Sequence, residues 1–152
     1  MRENLNRTPT VKEGTFRTAS DDDTIAMGRT IARSLPQKIC VLLIGNLGAG
    51  KTTLAKGIIH GLGFAEPDEV ASPTFTLIHE YGEGRVYHID LYRLDKPEQI
   101  ATLGLEDIFD REAVVLIEWG ERFPGLMPPH RIEIRLSAIG DDERQIEIKT
   151  IL

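Results

Sequence analysis

Eight residues, GNLGAGKT at 45–52, constrain this chain more than any other stretch, because they fit G-x-x-x-x-G-K-[ST] and directly follow an apolar run at 39–44. Such a loop needs glycine where the backbone bends tightly and approaches phosphate oxygens, so that successive N–H groups point inward at negative charge. Gly45, Gly48 and Gly50 meet that need. Lys51 then reaches the β- and γ-phosphates, Thr52 offers its hydroxyl to magnesium, and the positive end of the following helix faces the anion. The competing reading is a glycine-rich strand-to-helix turn without a ligand.

The rest of the chain supplies a frame for that loop. Ser20, followed by Asp21, Asp22 and Asp23, predicts a helix start, and Ile25, Met27, Gly28, Ile31, Ala32 and Leu35 give it one apolar face before Pro36 ends it. Residues 39–44 read as a strand covered on both faces, and 51–62 as the helix behind the loop. A surface loop at 64–73 leads into alternation at 74–81, and 85–90 returns, so 74–90 predicts an antiparallel hairpin. One or two short helices at 96–110, a buried strand at 113–118 and a closing hairpin from 131–136 and 144–151 complete the chain. The expected fold is α/β: a three-layer P-loop NTPase-like fold whose mixed central sheet includes antiparallel hairpins. Residues 1–10 read as a flexible lead-in, 12–18 as a short strand, and 11–152 as one domain.

Charge and composition narrow the function. With 18 Lys and Arg against 24 Asp and Glu, the net charge of −6 argues against a basic nucleic-acid surface, so no DNA contact is expected and any RNA connection is indirect. The single cysteine, Cys40, lies in the first apolar run as a buried thiol. No apolar stretch approaches the ~20 residues of a membrane span, and 1–20 is too polar for a signal peptide, so a cytoplasmic protein is expected.

A phosphate loop with Thr52 on the metal still needs a carboxylate at a neighbouring strand end, because magnesium favours oxygen ligands. Glu118 ends AVVLIE and Asp90 ends VYHID. One of the two holds magnesium through water and the other positions the attacking water; spacing leaves the assignment open. Ser72, Pro73 and Thr74 form a hydroxyl-rich corner where Thr74 suits a γ-phosphate sensor, and Trp119 is placed to line the nucleotide site or the core. The four histidines show no metal-ligand spacing, and His88 reads as a partial-core residue. Asp95, Glu98, Glu106, Asp107, Asp110 and Glu112 make an acidic face, with Leu91, Tyr92 and Leu94 as possible exposed anchors.

GNLGAGKTTLAKG, SPTFTLIHEY, YHIDLYRL, LGLEDIF and LIEW, in this order and spacing, resemble the TsaE (YjeE) family. The resemblance implies a magnesium-dependent ATPase, converting ATP to ADP and phosphate, that is required for N6-threonylcarbamoyladenosine in tRNA. It further implies TsaD and TsaB as the partners that this ATPase resets or regulates. Carried onto this chain, it places phosphates on Leu47, Gly48, Ala49, Gly50, Lys51, Thr52 and Thr53, and magnesium at Thr52 and Glu118. Asp90 then serves hydrolysis, Thr74 takes the switch-like role, Trp119 lies by the nucleotide, and Ser20, Asp21 and Asp142 approach the adenosine. Asn46 departs from the pattern, which often has an acid after the first loop glycine, and keeps hydrogen bonding without the charge.

Two other functional classes compete. A small P-loop kinase acting on a small-molecule acceptor would need a lid, and none is evident although Arg85, Arg93 and Arg111 are available. A GTPase would show N-K-x-D and D-x-x-G, and neither pattern occurs.

Overall fold

In the computed structural model, which describes residues 11–152, the apolar run Ile39–Ile44 forms a strand with all six residues buried. A strand apolar on both faces must be covered on both faces. Numbered along the chain, the strands are β1 Gly14–Thr18, β2 Ile39–Ile44, β3 Ile78–Tyr81, β4 Val86–Asp90, β5 Val114–Glu118, β6 Arg131–Ala138 and β7 Arg144–Ile151. The helices are α1 Asp21–Ala32, α2 Lys51–Gly61, α3 Pro97–Ala101 and α4 Leu105–Phe109. One sheet joins all seven strands in the order β1-β7-β6-β2-β5-β4-β3. Its centre is parallel, through the pairs β6 with β2, β2 with β5 and β5 with β4. Its margins are antiparallel, with β3 against β4 on one side and β7 between β6 and β1 on the other. The sheet is mixed, with the two hairpins expected from sequence. The lead-in expected at 1–10 lies outside the described residues.

Strand parity sorts the core into two faces. Val41, Leu43, Leu116 and Ile134 pack with Ile31 of α1 and Leu54 and Ile58 of α2. Leu42, Ile44, Ile89, Val115 and Ile117 pack with Ile100 of α3 and with Leu105 and Ile108 of α4. Helices therefore cover both sides of the sheet in three layers. Cys40 is buried in the second cluster, and burial pushes its thiol up to about 12.

The two long helices start in opposite ways. At α1 the Ser20 hydroxyl accepts a hydrogen bond from the Asp23 N–H at 3.0 Å, and three aspartates occupy the first turn. At α2 the preceding residue, Gly50, is left-handed with φ 101°, no side chain caps the helix, and its first turn holds no acid. The first N–H groups of α2 are thus uncapped by any side chain among the described residues.

Two expectations need correction. The strand expected over 74–81 begins only at Ile78, because 74–77 closes a turn in which the Leu77 N–H donates to the Pro73 carbonyl at 2.6 Å. Leu77 takes φ 69° there, and the Thr74 hydroxyl, aimed at Asp90, draws the segment out of the sheet. Alternation counts side chains and misses this competing backbone bond. Leu91, expected as an exposed anchor, is fully buried, whereas Tyr92 is exposed. Among the described residues no helix is long and apolar enough to cross a membrane.

Candidate functional site

The carboxyl ends of three parallel strands converge on the loop at 45–50. β2 runs directly into it, and register places Glu118 of β5 beside both Leu43 of β2 and Asp90 of β4. Parity turns Asp90 and Glu118 toward the face covered by α2, the same face as Val86 and Leu116. Two carboxylates on adjacent strand ends repel each other, and each is met by one threonine. Thr52 Oγ1, in the first turn of α2, donates to Glu118 Oε2 at 3.0 Å. Thr74 Oγ1 donates to Asp90 Oδ2 at 3.0 Å and pairs with the Ser72 hydroxyl at 2.7 Å. The Tyr92 N–H donates to the other Asp90 oxygen at 2.8 Å.

Lys51, Asp90 and Glu118 are each no more than 4% exposed, which charged groups tolerate only with partners or a task. The Lys51 ammonium donates to the Gly45 carbonyl at 2.7 Å and sits 3.5 Å from the centroid of the Trp119 ring. Burial pulls its pKa down, offset in part by Glu118, Glu121 and Asp90. Trp119 takes φ 69°, a left-handed conformation that a bulky residue adopts only when its surroundings impose it, and its ring lies 5.1 Å from that of Tyr92. Behind Asp90, Arg122 Nη2 donates to the carbonyls of Leu91 at 2.9 Å, Tyr92 at 3.1 Å and Leu94, pinning the chain that leaves β4.

These groups line a cavity of about 430 Å³ that gathers Leu47, Gly48, Gly50, Lys51, Thr52, Thr53, Thr74, Asp90, Glu118, Trp119 and Asp21. Of the other residues expected at the site, Ala49 lines a neighbouring cavity together with Asn46, Trp119 and Glu121, and Ser20 is engaged in capping α1. Asp142 is exposed in the β6–β7 turn and is not brought into the cavity. Arg144, two residues on, does line it: its Nη2 donates to the Gly48 carbonyl at 3.3 Å while its buried Nε has no partner among the described residues. Sequence reasoning missed Arg144 because it opens the second strand of a closing hairpin, with no motif around it. It also set aside His88, whose fully buried Nε2 lies 2.7 Å from Glu118 Oε2. The signal available was its position two residues before Asp90, on the same face of β4.

The residues present fit a magnesium nucleotide. The uncapped, acid-free start of α2 and the unpartnered Arg144 Nε suit polyphosphate, and two hydroxyls with two carboxylates form the all-oxygen donor set of a hard cation.

Comparison with known proteins identifies the family and the fold. The family model described as threonylcarbamoyl adenosine biosynthesis protein TsaE matches residues 18–146. The chain is 44% identical over 112 residues to a Haemophilus influenzae protein named tRNA threonylcarbamoyladenosine biosynthesis protein TsaE, covering 72% of this chain and 69% of that one. Proteins of the same name from Nostoc and Bacillus subtilis are 42% and 36% identical, over 86% and 93% of this chain and 82% and 88% of their own. The crystal structure of Bacillus subtilis YdiB superposes with a TM-score of 0.76 at 34% identity, covering 94% of this chain and 88% of that one. The fold is P-loop NTPase-like, as expected from sequence.

Proposed function

The chain belongs to the TsaE family, and from that premise we propose that it is a magnesium-dependent ATPase serving N6-threonylcarbamoyladenosine modification of tRNA. The observation that carries the reading is the double pairing at the mouth of α2, Thr52 with Glu118 and Thr74 with Asp90. The loop N–H groups and Lys51 bind the phosphates, with Lys51 leaving the Gly45 carbonyl to meet negative charge developing on the γ-phosphate. Thr52 and Glu118 would hold magnesium, which when bound would supply charge neutralisation at the phosphates. Asp90 orients the attacking water, whose oxygen bonds to the γ-phosphorus as the bond to the β-bridging oxygen breaks; the proton of the water passes to the released phosphate, and ADP and phosphate leave. Thr74, on the turn at 74–77, links the γ-phosphate position to the exposed Phe75. Hydrolysis there would alter a surface that partners can read. We assign that reading to TsaD with TsaB, and tRNA contact to the complex rather than to this acidic chain.

Lys51→Ala and Glu118→Gln should each lower ATP hydrolysis by about a hundredfold or more, the usual loss when one element stabilising the transition state is removed. Each should also fail to support tRNA modification in a reconstitution with TsaB and TsaD. Modification at the wild-type rate by both variants would refute the hydrolytic role. ATP consumption that appears only with a small-molecule acceptor would favour the kinase reading instead.

A further inference from the structure

Six polar or charged residues are buried among the described residues: Thr18, Thr24, Lys51, His88, Asp90 and Glu118. Thr18 and Thr24 satisfy each other through a 2.7 Å hydroxyl contact. The other four meet at the strand ends, and His88 is the one among them to which the proposed reaction gives no task. It is also the most deeply buried, with no exposure at all. Its neighbours on β4, Val86, Tyr87 and Ile89, are apolar, so an aliphatic residue would suit the position better on packing grounds.

The ring is committed to one contact. Nε2 lies 2.7 Å from Glu118 Oε2, while Nδ1 is buried without a hydrogen-bond partner among the described residues. A carboxylate accepts, so Nε2 donates to it and Nδ1 is the ring nitrogen left without a partner. Leaving that nitrogen unpaired costs stability that a leucine would not lose. The contact follows from register: His88 pairs with Leu116, which puts it diagonally across from Glu118 on the same face. Both hydrogen bonds found on this carboxylate fall on Oε2, from Thr52 on α2 and from His88 on β4. Two donors from two elements fix a side chain that has three rotatable bonds.

We propose that His88 is a positioning residue that locks the Glu118 carboxylate, through Oε2, in the orientation from which it serves the magnesium nucleotide. It acts through Glu118 and does not touch the nucleotide. The inference rests on the reading of the site given above, and its test separates the two.

Trp119 is the only tryptophan, so its fluorescence reports nucleotide binding at its own ring. A non-hydrolysable ATP analogue is titrated into the wild-type chain, His88→Leu and His88→Gln, each in magnesium and in EDTA. Wild type should bind more tightly in magnesium, and the absence of any gain would overturn the reading of the site itself. His88→Leu should lose about ten- to a hundredfold of the magnesium-dependent gain, the loss typical when a group supporting a metal ligand is removed, with unchanged affinity in EDTA. His88→Gln, whose amide can donate at nearly the same place, should recover most of it. Three results would overturn the inference: an undiminished gain in His88→Leu, an equal loss in EDTA, or no recovery in His88→Gln. Circular dichroism checks folding, and if His88→Leu does not fold, His88→Asn, polar but too short to reach Glu118, takes its place.

Discussion

Glu121 shows how a single residue can carry the tension of a site crowded with charge. It lines the neighbouring cavity beside Asn46 and Trp119, one of its carboxylate oxygens is buried without a partner among the described residues, and burial raises its pKa despite opposing pulls from Lys51, Arg122 and Arg135. A carboxyl whose folded pKa lies above its ordinary 4.5 favours the fold while protonated, and that contribution is lost as pH rises through the folded value. Glu121→Gln, neutral at every pH, should therefore melt above wild type at neutral pH, with the margin closing on acidification to about pH 4. Paired thermal melts across that range decide it, and a margin independent of pH would sink the explanation. At this scale the sequence was legible where chemistry sits in a contiguous motif or at the end of an apolar run. Lys51, Thr52, Asp90 and Glu118 were found that way and do line one cavity. Arg144 reaches the site from a distant segment with no local mark, Tyr92 and Glu121 follow Asp90 and Trp119 by two residues without a motif of their own, and Asp142, expected by the adenosine, lies outside the cavity.

At the scale of elements, α1 and α2 approach more closely than side chains would permit. A Cβ on Gly57 would lie 2.1 Å from the Ile25 carbonyl oxygen, and one on Gly28 would lie 2.6 Å from the Leu54 carbonyl oxygen. Backbone faces backbone on both sides, so no side chain can move aside. Alanine is ordinarily favoured over glycine within a helix by about 1 kcal/mol, which taken alone predicts that Gly57→Ala stabilises. The close approach reverses the sign, since overpacking a tight interface costs about 1–3 kcal/mol, toward the upper end where rigid backbone must shift. A net loss of about 1–2 kcal/mol, a fall in Tm of about 2–8 °C for a chain this size, is expected in thermal melts. A variant melting at or above wild type would show that the helices have room to separate. The contact matters for the site because α2 carries Thr52 and α1 begins with Asp21, so the helix spacing sets the width of the cavity they share. Sequence periodicity placed both helices, yet it counted Gly28 as part of an apolar face and passed over Gly57. What those glycines do depends on a partner helix, which no local pattern names.

Across the whole molecule, the site depends on strand order. β2 lies between β5 and β6, so the strand feeding the phosphate loop has as neighbours two strands that enter some seventy and ninety residues later. The hairpins and the mixed character of the sheet were legible because consecutive strands with short turns announce their pairing. The central order was not, since which buried edges meet is settled by three-dimensional packing of similar apolar runs. That order brings Gly45, Asp90 and Glu118 to one rim, where a ligand ties together β2, β4, β5 and α2 at once. A ligand bound only by the folded state must raise its stability, by about 2.7 kcal/mol at a hundredfold excess over Kd. Magnesium ATP at that excess should raise Tm by about 5–10 °C. GTP at equal concentration should raise it less, because the N-K-x-D pattern that reads guanine is absent. Lys51→Ala should reduce the ATP shift sharply, since burial holds the Lys51 ammonium at some cost that bound phosphate offsets. Without nucleotide the variant should melt close to wild type, because alanine relieves that same burial while leaving the loop glycines in place. Equal shifts with ATP and GTP would remove the argument for adenine, and no shift with either would remove the argument that these strand ends bind a nucleotide at all.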